Sequence, residues 1–247
     1  MKKAINIALY TSLAVLLLSA MAIGIAGNRR QHAAVKCTGI SVELTDSLNN
    51  HFVSAREVQR VIDREFGGYL NVPVGSIDLD AIERVLEQHG TLEKGDAFFT
   101  RDGILHVRVK QRKPLVKLYD GSTMWYVCSG GKHFAVKDDW CRDIPRVNGA
   151  ARLSDPQWRQ RMAAFGEYVT RRGDWDSRVE RISSDSRGEV SIKLQERDEL
   201  FYIGQPTEIK EKFARIDRYI GTIVPTLEEG RKYKSVNVKF SNQIVCR

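Results

Sequence analysis

The sequence is poor in the residues that most often build catalytic and metal sites, with only 5 histidines and 4 cysteines among 247 residues. It contains no phosphate-binding loop, nucleophile elbow or zinc-binding motif. Adjacent acids such as Asp138-Asp139 and Glu228-Glu229 are interpreted as solvated loop charges, because a chain with 31 acids contains such pairs by chance. We therefore predict that the protein is not an enzyme and uses no cofactor, metal ion or small-molecule substrate. The histidines match no catalytic triad or metal-ligand spacing: His32, His51, His89, His106 and His133.

The few cysteines do not define a redox or metal site. Their wide spacing matches neither a zinc site nor a Cys-x-x-Cys motif. In an oxidising compartment four cysteines allow three disulfide connectivities. Cys128 with Cys141 is one possible pair, and the sequence leaves the choice open. The four are Cys37, Cys128, Cys141 and Cys246.

The sequence also lacks a block of like charges, although its net charge is +8. The 39 basic residues are interleaved with 31 acidic ones, and no nucleic-acid motif accompanies them. We therefore predict no nucleic-acid binding, and a solvated surface with only a weak preference for anionic lipid or wall polymer. A content of 42% hydrophobic and 28% charged residues fits one or two globular domains.

Long apolar runs are scarce, and the single one extends from Ala4 to Asn28 after two lysines. A helix of about 25 residues is long enough to cross a hydrocarbon core of about 30 Å. This favours an uncleaved transmembrane helix over residues 4–28. The basic residues on its two sides are nearly balanced, so the orientation is predicted from the absence of a second apolar run and from the short head: a cytoplasmic tail over residues 1–3 and export of the carboxyl-terminal part. The alternative is a secretory signal peptide cleaved near Ala20-Met21-Ala22, but the apolar run continues past that point.

Two helices are predicted after the apolar run. Ser54 and Glu57 form the capping-box pattern at the start of the first, in which each residue bonds to the backbone of the other. The second begins near Asp78 and is expected to end at Gly90 in a left-handed conformation. Both carry apolar residues at helical spacing, so each buries one face.

Strands flank these helices. Val35–Leu44 is predicted as the first strand, and Ala97–Thr100 with Ile104–Lys110 as a hairpin. Asp102-Gly103 supplies the positive φ that a tight hairpin turn requires. The predicted order is therefore strand, helix, helix, strand, strand.

That order, closed by Gln111-Arg112-Lys113-Pro114 just outside a single anchor, resembles the POTRA domain of the FtsQ/DivIB family of bacterial cell division proteins. Pro114 lacks a backbone donor and is typical of a boundary where a strand ladder ends. The resemblance implies a POTRA-like βααββ domain over residues 35–114. The fold class that we expect is α+β, with a single amino-terminal transmembrane helix, this domain, and then a β-rich domain with flanking helices over residues 115–247.

The second domain carries a series of short motifs in the order that the family shows. Most are strands and turns, and two are helices, of which the first is predicted to begin at Pro156. The segment Ile144–Gly149 is similar to a family loop, and Ser235–Cys246 is predicted as one terminal strand. The other motifs are Trp125-Tyr126-Val127, Gly130-Gly131, His133–Val136, Val179–Ile182, Glu189–Leu194, Phe201–Gly204 and a helix bearing Ile209, Phe213, Ile216 and Ile220.

The resemblance implies a protein that acts by binding at the division septum. Its partners would be FtsB/FtsL-like coiled-coil division proteins and other members of the divisome. The terminal strand is the candidate interface, because a strand at a sheet edge offers free N–H and C=O groups. The alternative is that Val236, Val238 and Phe240 face the core, and for Val236 and Val238 this is the favoured interpretation. The candidate contact residues are Val238, Lys239, Phe240, Ser241, Asn242, Gln243 and Ile244.

Arg112 and Lys113 are candidates for a second contact at the end of the POTRA-like domain, although such residues more often form ion pairs at a domain junction. The expected location is the cell (inner) membrane at the septum, with the amino terminus cytoplasmic and both domains extracytoplasmic. The rival interpretation is an exported wall-binding or wall-modifying protein with a cleaved signal peptide. A POTRA-bearing secretion or transport component is a weaker third possibility, because only one short module is present.

Overall fold

The computed structural model describes residues 18–19, 21, 35–45, 52–121, 123–136, 139, 141, 143–173, 178–228 and 232–247. The predicted transmembrane helix over residues 4–28 lies outside these ranges except for three positions. None of the helices within the ranges combines the length and the apolar character that a membrane crossing requires. The chain divides into two compact units, the first formed by residues 1–47 and 53–111 and the second by 48–52 and 112–247.

The first unit has a three-stranded sheet covered by two helices, in the predicted order of strand, helix, helix, strand, strand. The sheet order is β1-β3-β2, with β1 parallel and β2 antiparallel to the central β3. Its core is formed by the inward residues of all five elements. The elements are β1 Gly39–Leu44, α1 Ala55–Phe66, α2 Leu79–Gln88, β2 Leu92–Phe99 and β3 Ile104–Gln111, with a short 3₁₀ turn at Val74–Ser76.

The predicted start of α1 is confirmed atom by atom. The Ser54 hydroxyl accepts from the Glu57 backbone N–H at 3.3 Å, and the Glu57 carboxylate accepts from the Ser54 N–H at 2.7 Å. The bond from the Ser54 backbone also lowers the pKa of the Glu57 carboxyl group. Two orphan donors at the helix start are therefore satisfied by local side chains.

Of the two glycine conformations predicted for this unit, one is confirmed and the other is wrong. Gly103 has the positive φ of +82° that the hairpin requires, and a Cβ there would lie 2.2 Å from the carbonyl oxygen of Lys36. The prediction that Gly90 ends α2 in a left-handed conformation is wrong. The helix ends at Gln88, and His89 turns the chain with an extended backbone (φ −64°, ψ 128°). Gly90 does not have a positive φ, and β2 begins two residues after it, at Leu92.

The second unit contains a nine-stranded sheet in the order β12-β11-β10-β9-β8-β7-β4-β5-β6. Parallel pairs join β10 with β11, β8 with β7, and β7 with β4, and the other pairs are antiparallel. Two helices pack on one face of the sheet. The elements are β4 Pro114–Asp120, β5 Thr123–Cys128, β6 His133–Val136, β7 Arg146–Gly149, α3 Pro156–Arg171, β8 Val179–Ser184, β9 Val190–Leu194, β10 Leu200–Gly204, α4 Ile209–Arg218, β11 Ser235–Asn237 and β12 Val245–Cys246.

One predicted loop is a strand. Residues Arg146–Gly149 form β7, which pairs with β4 on one side and β8 on the other. Gly149 closes this strand with a φ of +105°, and a Cβ there would lie 2.3 Å from the carbonyl oxygen of Ser184. The four-residue strand has a Pro before it and a Gly at its end, which is why its sequence is typical of a loop.

Gly166 sets the distance between α3 and the sheet. The predicted start of α3 at Pro156 is confirmed, and its inward residues Trp158, Met162, Phe165 and Val169 are all buried. At Gly166 the helix lies so close to β4 that a Cβ would be 2.2 Å from the carbonyl oxygen of Leu115. The low helix propensity of glycine is therefore offset by close packing of helix on sheet.

We predict that Gly166→Ala destabilises the second unit by about 1–3 kcal/mol, because overpacking shifts the helix away from β4. Urea unfolding followed by tryptophan fluorescence measures this change, since the residue ranges of the first unit contain no tryptophan. Gly173→Ala is the matched control, because a Cβ there meets nothing within 4 Å, and its effect should stay within about 0.5 kcal/mol. Equal unfolding midpoints for the two variants would contradict this account of the packing. The tryptophans are Trp125, Trp140, Trp158 and Trp175.

Candidate protein-binding edge

The predicted single strand over Ser235–Cys246 is wrong in its extent, because the chain forms two short strands there. β11 (Ser235–Asn237) lies between β10 and β12 and is paired on both sides. β12 (Val245–Cys246) has β11 as its sheet neighbour and lies at the end of the sheet, within the part of the chain that the structure describes. The candidate edge is therefore β12, and β11 is an internal strand.

The pairing of β12 shows which backbone groups point away from the sheet. Ser235 and Arg247 exchange two hydrogen bonds, at 2.9 and 3.0 Å between nitrogen and oxygen. Hydrogen-bonded and non-hydrogen-bonded pairs alternate along an antiparallel ladder, so Cys246, which faces Val236, belongs to a non-hydrogen-bonded pair. The N–H and C=O of Cys246 therefore point to the open side, where another strand can bind them.

The residues between β11 and β12 differ in their exposure. Val238 is fully buried in the core, and its N–H donates to the Tyr202 carbonyl at 3.0 Å. Its side chain is thus not accessible to a partner, as the alternative interpretation expected. Phe240 is 43% exposed, and the ammonium of Lys239 lies 5.3 Å from the centre of its ring. The remaining candidates lie in the segment between β11 and β12, where Ser241, Asn242 and Gln243 are exposed and Ile244 is half-buried.

The sheet has a second edge at β6, which lacks these features. Phe134, the large apolar residue of that strand, is only 8% exposed. By contrast, the turn between β11 and β12 carries Phe240, an aromatic side chain that is 43% exposed. An interface needs such an anchor as well as main-chain bonds. β12 is therefore the candidate edge of this sheet.

Arg215 of α4 holds the segment that leads to β12. Its Nε donates to the Val238 carbonyl at 3.0 Å and its Nη1 to the Ser241 carbonyl at 3.1 Å. These carbonyls lie outside strand pairing, so the guanidinium satisfies acceptors that would otherwise depend on water. The sequence analysis missed this residue, and no sequence signal identifies it, because an arginine on an amphipathic helix is ordinarily solvated.

A buried acid, Glu199, directly precedes β10 and is hydrogen-bonded to Tyr219. The Tyr219 hydroxyl donates to the Glu199 carboxylate at 2.9 Å, and Glu199 is 7% exposed. Burial, followed by this bond, raises the pKa of the Tyr219 hydroxyl. The pair links the helix side of the core to the residue just before β10, which is the strand that carries β11.

The structure also shows the state of the four cysteines. All four cysteines are free thiols, including Cys128 and Cys141. Burial raises the pKa of the thiols of Cys141 and Cys246, which keeps both protonated. No group of three or more metal-ligating side chains occurs within the described ranges.

Arg112 and Lys113 form the link between β3 and β4, with Arg112 half-buried and Lys113 exposed.

The chain is thus a two-unit α+β protein whose nine-stranded sheet ends at β12 within the described residues. Comparison with family models identifies both units: a POTRA-like domain matches residues 35–110, and an FtsQ/DivIB, C-terminal related domain matches residues 113–247. The second match covers more than half of the chain, and the chain belongs to the FtsQ/DivIB family. This is a family of non-enzymatic cell division proteins found at the division-site membrane. The comparison with curated proteins gave no match.

We predict that Arg215→Ala destabilises the second unit by about 1–3 kcal/mol, because two backbone carbonyls lose a charged donor. The loss should be local, so hydrogen exchange should accelerate most in peptides covering residues 238–246. Arg161→Ala is the matched control, since Arg161 donates to the carbonyl of Gln157 on its own helix and lies away from the edge. If exchange near β12 is unchanged in Arg215→Ala, the proposed role of this guanidinium is wrong.

Proposed function

We propose that this protein is a bitopic division protein that scaffolds the divisome at the septum by binding other membrane division proteins through its extracytoplasmic domains. The single observation that carries the proposal is the open side of β12, where the peptide groups of Cys246 face away from the sheet. Membership in the FtsQ/DivIB family supports a role in cell division and contacts with other divisome proteins.

The proposed organisation is a cytoplasmic tail over residues 1–3, a transmembrane helix over 4–28, a POTRA-like domain over 35–114 and a β domain over 115–247. The apolar run from Ala4 to Asn28 supports the anchor, because its length matches a bilayer core. The amino terminus lies in the cytoplasm and both domains lie outside the cytoplasmic membrane. This places the β12 edge in the compartment where the extracytoplasmic parts of other division proteins are found.

The mechanism is strand addition. A partner segment in extended conformation pairs with β12, and the main-chain bonds provide affinity that depends little on sequence. Phe240, Ser241, Asn242 and Gln243 follow the turn beside the edge and select the partner through their side chains. Lys239 is not one of these edge residues, because it lies beside Gly204 of β10 with its ammonium 3.8 Å from the Glu189 carboxylate.

The proposed partners are FtsB/FtsL-like coiled-coil proteins, which are membrane-tethered as well. Tethering of both proteins in one membrane raises the effective concentration of each for the other. A modest interface at β12 therefore suffices for assembly. The role is one of binding, without catalysis, and Arg112 with Lys113 remains a candidate for a second contact.

We predict that Cys246→Pro lowers the affinity of the full chain for the co-expressed FtsB/FtsL-like pair of the same bacterium by about tenfold. Proline removes the N–H that points to the open side but no bond of the β11–β12 ladder, and edge strands tolerate it. Affinity capture from detergent-solubilised membranes, titrated with the partner pair, measures the change.

Cys246→Ala is the control, because it removes the same thiol and keeps the N–H. It should bind the pair within about twofold of the parent chain. Tryptophan fluorescence shows whether each variant has the parent fold in its second unit. Equal capture by the folded Pro and Ala variants would mean that the partner does not use this edge.

A further inference from the structure

A groove lies beside the β12 edge, between α4 and the turn that leads to β12. It has a volume of about 570 Å³. One wall is a face of α4 and the other is the exposed turn with the residue just before β12. The lining residues that matter here are Arg215, Arg218, Glu211, Asn242, Gln243 and Ile244.

The groove has an excess of positive charge. Arg218 is exposed and has no ion-pair partner among the described residues. The neighbouring acid Asp217 is not available to it, because Asp217 pairs with Arg172 at 3.1 Å and lies within 4.0 Å of Arg178. Among the described residues that line the groove, Glu211 is the one acid. Two guanidinium groups one helical turn apart thus face a single carboxylate.

Arg215 is also incompletely bonded. Its Nε and Nη1 donate to the carbonyls of Val238 and Ser241, whereas Nη2 is buried and has no hydrogen-bond partner. A buried donor without an acceptor is destabilising. A carboxylate placed in the groove relieves the repulsion between Arg215 and Arg218, which lie three residues apart on α4.

We infer that this groove binds a carboxylate side chain of the protein segment that pairs with β12, an inference that rests on the proposed function. The position follows from continuity, since Ile244 lines the groove and directly precedes β12. A strand rises about 3.3 Å per residue, so an acid two or three residues beyond the paired stretch reaches the groove.

The two arginines have different roles. Arg218 contacts the carboxylate, because the planar guanidinium matches two carboxylate oxygens with two parallel N–H donors. Arg215 is a positioning residue, which holds the turn that forms the opposite wall. The exposed amides of Asn242 and Gln243 supply further donors at the rim. Main-chain bonds at the edge provide little selectivity among partner sequences. The groove thus adds selectivity for a segment that carries an acidic side chain.

Arg218→Glu should lower the affinity of the full chain for the co-expressed FtsB/FtsL-like pair by about tenfold at low salt, because charge reversal repels the partner acid. The difference from the parent chain should shrink when NaCl rises from about 50 mM to about 500 mM. Lys210→Glu is the matched control, since Lys210 is exposed on the same helix but lies outside the groove. This control should stay within about twofold of the parent.

The Cys246→Pro variant separates this inference from the proposed function. Normal capture by Arg218→Glu together with weak capture by Cys246→Pro overturns the groove inference and leaves strand addition standing. An equal loss in Arg218→Glu and Lys210→Glu also overturns it, because the effect is then one of overall charge. If Arg218→Glu loses only its sedimentation with phosphatidylglycerol vesicles, the groove binds lipid instead. If the parent chain captures no pair, both ideas fail.

Discussion

An open β-sheet leaves a row of peptide groups unpaired at each edge, and this constraint governs the second unit of the protein. Within the described residues, nine strands form one open sheet whose last strand, β12, has β11 as its sheet neighbour. Its two residues are too few to form a long, indiscriminate edge. The free N–H and C=O of Cys246 offer a small number of bonds that a specific partner can use.

The edge depends on the core behind it. β11 is paired on both sides and buries Val236 completely, so β12 rests on a rigid strand. The turn between them is held from α4 by Arg215, whose bonds reach two carbonyls far along the chain. Gly166 in turn allows α3 to lie directly on β4. The two-residue strand β12 is thus supported by packing throughout the unit.

Local signals in the sequence predict much of this fold. The capping box at Ser54, the turn at Gly103 and the helix start at Pro156 are each decided by a few adjacent residues, and all three are confirmed. The strand over Arg146–Gly149 and the division of Ser235–Cys246 into two strands depend instead on pairing with distant segments. Arg215 escaped prediction for the same reason, because its role depends on acceptors brought close only by the fold. The contact residues that the sequence proposes at Phe240 and beyond stay predictions.

Site-specific photocrosslinking in dividing cells tests the central claim most directly. A photoreactive phenylalanine analogue at position 240 or 243 of the full chain should crosslink to an FtsB/FtsL-like protein, identified by mass spectrometry. The same analogue in place of Leu70, which is 51% exposed in the first unit, should not. Crosslinks from Leu70 alone, or none from positions 240 and 243 in cells where the protein supports division, would contradict the claim that the β12 edge binds the partner.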